Sequence, residues 1–188
     1  MLFPKIKMSH NELIVRGKKW LFSRSGGKCK FVLKEMMALG NAEIPDLIGF
    51  NYYHSILVEC KTSRSDFHAD KKKAVRNGQR VGVGERKYFL CEKEIIFSSD
   101  LPEHWGLLWI YGKRIKVIER STERKFNYHP EIENGKRLSH ERDMMISALN
   151  RFQIRLGPDF EMINDMDWNP TPLWSMKHEM KTNYQGPI

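Results

Sequence analysis

The order of periodic segments predicts a layered α/β domain with a central mixed sheet flanked by helices. Three observations lead to this expectation. An amphipathic stretch stands behind a capping pattern, three short apolar runs parted by turn residues follow it, and a second helical stretch precedes further strands. Segments in the order α-β-β-β-α-β build a sheet covered by helices, not an all-helical or all-strand fold.

Each element has its own signal. Ser9-His-Asn-Glu12 ahead of Leu13, Ile14, Trp20, Leu21 and Phe22 reads as a capping box opening a helix, and Ser25-Gly26-Gly27 ends it. Cys29 to Ala38, with Phe31, Val32 and Leu33, reads as a first strand closed by the turn Gly40-Asn41. Ile44 to Phe50 reads as a second strand, with Pro45 near its start, where a missing N–H does least harm. Asn51-Tyr-Tyr-His54 is a tight connection to a third strand, Ser55 to Cys60. Thr62 to Asp66 offers N-cap candidates for a helix running to about Arg76.

A basic loop marked by Asn77-Gly78 and Gly82-Val-Gly84 comes next. Lys87–Cys91, Gly106–Ile110 and Arg114–Ile118 read as further strands, the last two joined through Gly112-Lys113. Ser139 to Leu156 reads as a C-terminal helix, stopped by Gly157-Pro158. The expected organisation is one domain over residues 1–158 and an irregular tail over residues 159–188 that packs on the domain or on a partner.

Charge narrows the function classes. The 188 residues carry a formal net charge of +9, which favours a polyanionic partner such as DNA. The surplus is uneven. Residues 159–188 are net −3, so the remaining chain is +12 and the folded part is the basic part. Three cysteines, far apart and with no Cys-x-x-Cys pair, argue against a disulfide framework or a structural zinc site and fit a reducing cytoplasm. The first residues turn polar too soon for a signal peptide, and no apolar run approaches a membrane span. Scattered histidines speak against a zinc hydrolase, and Gly82-Val-Gly84 lacks the Gly-Lys-Ser/Thr ending of a phosphate loop.

The chemistry-bearing segment is Ile44-Pro45-Asp46-Leu47-Ile48, followed by Val58-Glu59-Cys60-Lys61. Side chains alternate along a strand, so Glu59 and Lys61 share a face while Cys60 points the other way, into the core. If the two strands pair around Tyr52-Tyr53, the carboxylates of Asp46 and Glu59 converge at one sheet edge. Two charges that end the apolar run Ser-Ile-Leu-Val are costly unless they bind something. A hard cation such as Mg²⁺ takes one or two carboxylates with water and phosphate, and the Cys60 backbone carbonyl is a further oxygen. Lys61 would then orient the attacking water and offset phosphate charge. The competing reading is a turn aspartate at Asp46 and a surface ion pair at Glu59–Lys61.

These residues resemble the PD-(D/E)xK motif of the restriction-endonuclease-like nuclease superfamily. Ser63-Arg-Ser-Asp-Phe-His-Ala-Asp-Lys71 is similar to the continuation of that motif in a small branch of DNA-repair or phage nucleases, as are Tyr88-Phe89 and Leu101-Pro-Glu-His-Trp-Gly-Leu-Leu108. The resemblance covers about residues 9–120. It implies a restriction-endonuclease-like core, Mg²⁺ or Mn²⁺ on Asp46 and Glu59, and Lys61 assisting the water. Many superfamily members add a glutamate from the first helix. Glu12 is the candidate, with a helix cap as its competing role, and Glu35 is a weaker one.

Asp66 and Asp70 share a helical face four residues apart and could brace Lys61 or contact a second metal; Asp66 also suits a first helical turn. Lys71, Lys72, Lys73, Arg76, Arg80, Arg86 and Lys87 form a basic stretch that could track a phosphate backbone. Trp105, Trp109 and Tyr111 are assigned to packing. The expectation is therefore a cytoplasmic, Mg²⁺-dependent deoxyribonuclease. Its rivals are a catalytically inactive nucleic-acid-binding protein on the same fold, and a protein-interaction module acting through the tail.

Overall fold

In the computed structural model, the residues described are 7–37, 43–70, 81–122 and 130–156. Six strands form one mixed sheet in the order β1-β2-β3-β4-β5-β6. They are β1 (Phe31–Lys34), β2 (Leu47–Phe50), β3 (Ser55–Lys61), β4 (Arg86–Glu92), β5 (Trp105–Tyr111) and β6 (Arg114–Glu119). Among the described residues three α-helices accompany them: α1 (His10–Phe22), α2 (Arg64–Asp70) and α3 (Pro130–Leu156). The chain divides into two compact units, Met1–Phe152 and Gln153–Ile188. The sheet lies in the first; of the second, only the last residues of α3 are described.

Pairing follows from the connections. β1–β2 and β2–β3 are antiparallel, the latter joined by a short turn, whereas β3, β4 and β5 run parallel and β6 returns antiparallel. The β2–β3 turn is built by Asn51, whose Oδ1 accepts from the amides of Tyr53 at 2.8 Å and His54 at 2.9 Å. This is the side-chain mimicry of a turn that suits asparagine here.

Strand alternation sorts the core into two layers. Leu47, Ile56, Val58, Cys60, Tyr88 and Leu90 pack on one face with Leu13, Ile14, Trp20 and Leu21 of α1. Ile48, Leu57, Phe89, Cys91 and Leu107 pack on the other with Phe67 of α2 and Met144 of α3. Every residue of β3 is buried, as expected for a central strand covered on both faces. α1 lies unusually close to the sheet at Gly17, where an added Cβ would stand 2.8 Å from Leu47 Cδ1. A larger residue there would require the Leu47 and Leu90 side chains to shift.

Several boundaries differ from the sequence expectation. β1 ends at Lys34, where Glu35 takes a positive φ of 47° outside the extended region. β2 begins at Leu47, three residues later than expected, which puts Asp46 just outside the strand. α3 begins at Pro130, nine residues before Ser139: proline suits the first helical position, and a polar sequence can be helical where it needs no apolar face. The tail, residues 159–188, lies outside the described residues. Among those described, no helix is long and apolar enough to cross a membrane.

Candidate active site

The β2–β3 hairpin brings Asp46, Glu59 and Lys61 to one end of the sheet. Leu47 pairs with Val58, so the same antiparallel register carried one step outward sets Asp46 opposite Glu59. The Asp46 carboxylate turns onto β3, where Oδ2 accepts from the Cys60 amide at 2.7 Å. Its second oxygen, Oδ1, lies 3.3 Å from His10 Nε2 at the start of α1.

Glu59 and Lys61 project from the face of β3 opposite the Cys60 side chain, toward α2. Both are nearly sealed from solvent, at 1% and 4% exposure. Lys61 Nζ lies among three carboxylates: Asp70 Oδ1 at 3.2 Å, Glu59 Oε2 at 3.6 Å and Asp66 Oδ1 at 4.0 Å. Charges buried to this degree persist only when paired, and these pairs join β3 to α2.

α2 is held in place for this contact. Ser63 Oγ accepts from the Asp66 amide, and Asp66 Oδ2 accepts from the Thr62 amide, both at 3.1 Å, so Asp66 serves as a helix-start residue. Arg64 grips Asp100 through two bonds of 2.8 Å, tying the first turn of α2 to the segment after β4. Phe67 points down between them onto Phe89 in an edge-to-face contact, with ring centroids 5.0 Å apart. Asp70, one turn after Asp66, thereby faces Lys61.

The site lies at the carboxyl ends of the parallel strands β3 and β4, the rim where open α/β sheets most often bind ligands. At the end of β4, Glu92 Oε2 accepts from the Met8 amide at 3.1 Å and anchors the approach to α1. That contact helps to set the first turn of α1, and with it His10, beside Asp46.

Cys60 is not a nucleophile. Burial, then the neighbouring Asp46 and Glu59 carboxylates, push its thiol well above the usual cysteine range. Burial likewise raises Cys29 to about 11 and Cys91 to about 12. None of the three offers much thiolate near neutral pH.

The remaining candidates fall elsewhere. Glu12 is a helix cap: its Oε2 accepts from Ser9 N at 2.7 Å and from Ser9 Oγ at 2.8 Å, and these bonds lower its carboxyl pKa. The first-helix residue that meets Asp46 is His10, not Glu12, because a carboxylate at the third helical position folds back onto its own cap. Glu35 donates its amide to the Asp46 carbonyl at 3.1 Å, while its exposed side chain pairs with Lys34.

Arg86 stands opposite Ile56, near the start of β3. Because β4 is parallel to β3, Arg86 sits toward the opposite end of the sheet from the carboxylates and not beside them. Lys71, Lys72, Lys73, Arg76 and Arg80 lie outside the described residues. Trp105 stacks on Phe89 and Trp109 donates to the Ile96 carbonyl, both packing roles, whereas Tyr111 is exposed.

Among the described residues, no three His, Cys, Asp or Glu side chains gather closely enough to form a ready-made metal cage. No family model matches the chain, and no curated protein matches it. The fold itself has a counterpart. A protein of unknown function from Silicibacter pomeroyi is similar in structure, with a TM-score of 0.54 and 20% sequence identity over 85% of this chain and 100% of that one. At that identity the likeness concerns the fold alone.

Proposed function

We propose that the chain is a metal-dependent nuclease with a restriction-endonuclease-like core, hydrolysing phosphodiester bonds in DNA. The observation that carries this reading is the β2–β3 register, which sets Asp46 opposite Glu59 with Lys61 one step along the same face. The donor set suits a hard divalent cation. Two carboxylates, with water and a substrate phosphate completing an octahedron, are what Mg²⁺ or Mn²⁺ commonly takes, so a cage of three or more protein ligands is not required. When bound, the cation supplies Lewis-acid charge relief at the scissile phosphate.

The chain's own residues do the rest. Asp46 is oriented by its bond from the Cys60 amide and by His10. Glu59 is held beside Lys61 in a sheltered position where electrostatic effects are stronger than in water. Lys61 is the ammonium that would orient the attacking water and offset phosphate charge, with Asp70 fixing its direction.

A second reading rests on one observation: both Asp46 oxygens are engaged, one by the Cys60 amide and one near His10. A chain that keeps them so would bind nucleic acid without cutting it. Incubation with labelled DNA and RNA substrates in Mg²⁺, Mn²⁺ or EDTA separates the two. The nuclease reading expects cleavage of DNA that EDTA stops and that Asp46→Ala or Glu59→Ala abolishes. Binding with no cleavage in either metal would leave the second reading.

A further inference from the structure

A second feature lies on the α1 face of the sheet, apart from the carboxylates. Between α1 and the β5–β6 hairpin runs a cleft of about 580 Å³, lined by Arg16, Lys19, Trp20, Ser23, Ser25, Lys113, Arg114 and Ile115. Four of these eight side chains are cations and none is acidic. Spacing on α1 explains half of the set: Arg16 and Lys19 are three apart and share a helix face. The hairpin turn at Gly112, with φ of 52°, presents Lys113 and Arg114 from the other wall. Arg16 Nη1 also donates to the Gly112 carbonyl, tying the two walls together.

Four like charges around one cleft repel one another, an arrangement that is costly unless an anion offsets it. Among the described residues, none of the four has a carboxylate within ion-pairing distance. Glu12, one turn earlier on α1 than Arg16, has its carboxylate taken up by Ser9. The chemistry of the lining selects the kind of anion. Ser25 adds a hydroxyl suited to phosphate oxygens, whereas Ser23 Oγ already donates to the Trp20 carbonyl at 2.9 Å. Trp20, the lone aromatic ring of the lining, is 9% exposed and stands at 66° to Tyr88, so little of its surface is offered to a base. Charge and a hydroxyl with little stacking surface suit a repeating phosphate backbone better than a free nucleotide.

We propose that this cleft binds the sugar-phosphate backbone of a nucleic acid, independently of sequence. Arg16 and Lys19 lie six and nine residues along α1 from His10, roughly 9 and 14 Å at the helical rise. A strand held there would be within a few nucleotides of Asp46. That guiding role rests on the nuclease reading; the binding itself does not.

The test measures binding to a short labelled DNA duplex in EDTA as KCl is raised, by fluorescence anisotropy. Two variants remove the charge: Arg16→Ala/Lys19→Ala/Lys113→Ala/Arg114→Ala, and the triple that spares Arg16 and its contact with the hairpin. A control removes four cations elsewhere, through Lys34→Ala/Lys136→Ala/Arg142→Ala/Arg151→Ala. The triple variant is expected to lower the slope of log K against log [salt] by about 2 to 3, near 0.9 per lost phosphate contact, and to weaken binding at least about tenfold near 100 mM salt.

The control should lose distinctly less. Equal losses in the control and the cleft variants would overturn the proposal, as would an unchanged slope in the triple. Tighter binding of poly-glutamate than of the duplex would assign the cleft to an acidic protein segment and overturn it too. Cleavage in Mg²⁺ is scored separately: intact duplex affinity in the cleft variants with cleavage lost in Asp46→Ala would refute the cleft and leave the nuclease reading standing.

Discussion

Lys61 Nζ lies 3.2 Å from Asp70 Oδ1, with both side chains all but removed from solvent. The pair links the third strand to the helix that follows it, so its energetics bear on fold and site together. Removing one member of a buried ion pair costs about 3–5 kcal/mol, because the other charge is stranded. Here Glu59 remains 3.6 Å from Lys61 and softens the loss. Asp70→Ala is therefore expected to lower stability by about 2–3 kcal/mol in urea unfolding, and Asp70→Asn by less. A change under about 0.5 kcal/mol for the alanine variant would show that the pair has no structural weight.

A second buried network sits at the other end of β3. Glu141 Oε1 on α3 accepts from Ser55 Oγ at 2.8 Å, from the Gly84 amide at 2.9 Å and from Arg137 Nη1 at 3.3 Å. Ser55 Oγ in turn accepts from the Glu85 amide at 3.0 Å. Glu141→Ala would leave a buried amide and a buried guanidinium without this acceptor, for an expected loss of about 3–5 kcal/mol. Glu141→Gln keeps an oxygen at the same place and should cost clearly less. Chemical denaturation of both variants checks the order, and equal costs would contradict it.

The cap at the start of α1 has a pH signature. Hydrogen bonds from Ser9 hold the Glu12 carboxyl below its ordinary value of 4.5. A group whose pKa is depressed by folding contributes stability in full above its unfolded value and loses it as pH falls through the folded one. Wild type should therefore exceed Glu12→Gln in melting temperature by a constant margin at neutral pH, a margin that shrinks as pH falls to about 4.5 and below. The same variant should cleave DNA as wild type does, since its carboxylate serves the helix and not the metal. Lost cleavage at neutral pH would return Glu12 to the site.

Much of the scaffold was legible because it follows from local rules. Ser9 and Glu12 announced α1, Asn51 announced the β2–β3 turn, and alternation placed Cys60 in the core with Glu59 and Lys61 on the other face. What was not legible depends on tertiary register. His10 meets Asp46 only because α1 crosses the sheet where it does, across 36 residues of sequence. The Ser55–Glu141 bond joins positions 86 apart, and no local pattern marks either residue as a partner. The cationic cleft was hidden for the same reason, since Arg16 and Lys113 come together only when the hairpin folds against α1.

The central claim is that Asp46 and Glu59 share one divalent ion. Titration of the full chain with Mn²⁺, following the free ion by electron paramagnetic resonance with and without a DNA duplex, tests it most directly. The expected result is one tightly held Mn²⁺ per chain in the presence of DNA, lost in both Asp46→Ala and Glu59→Ala and kept in Glu12→Gln. Mn²⁺ binding that survives in either alanine variant, or is absent from wild type under both conditions, would contradict the account.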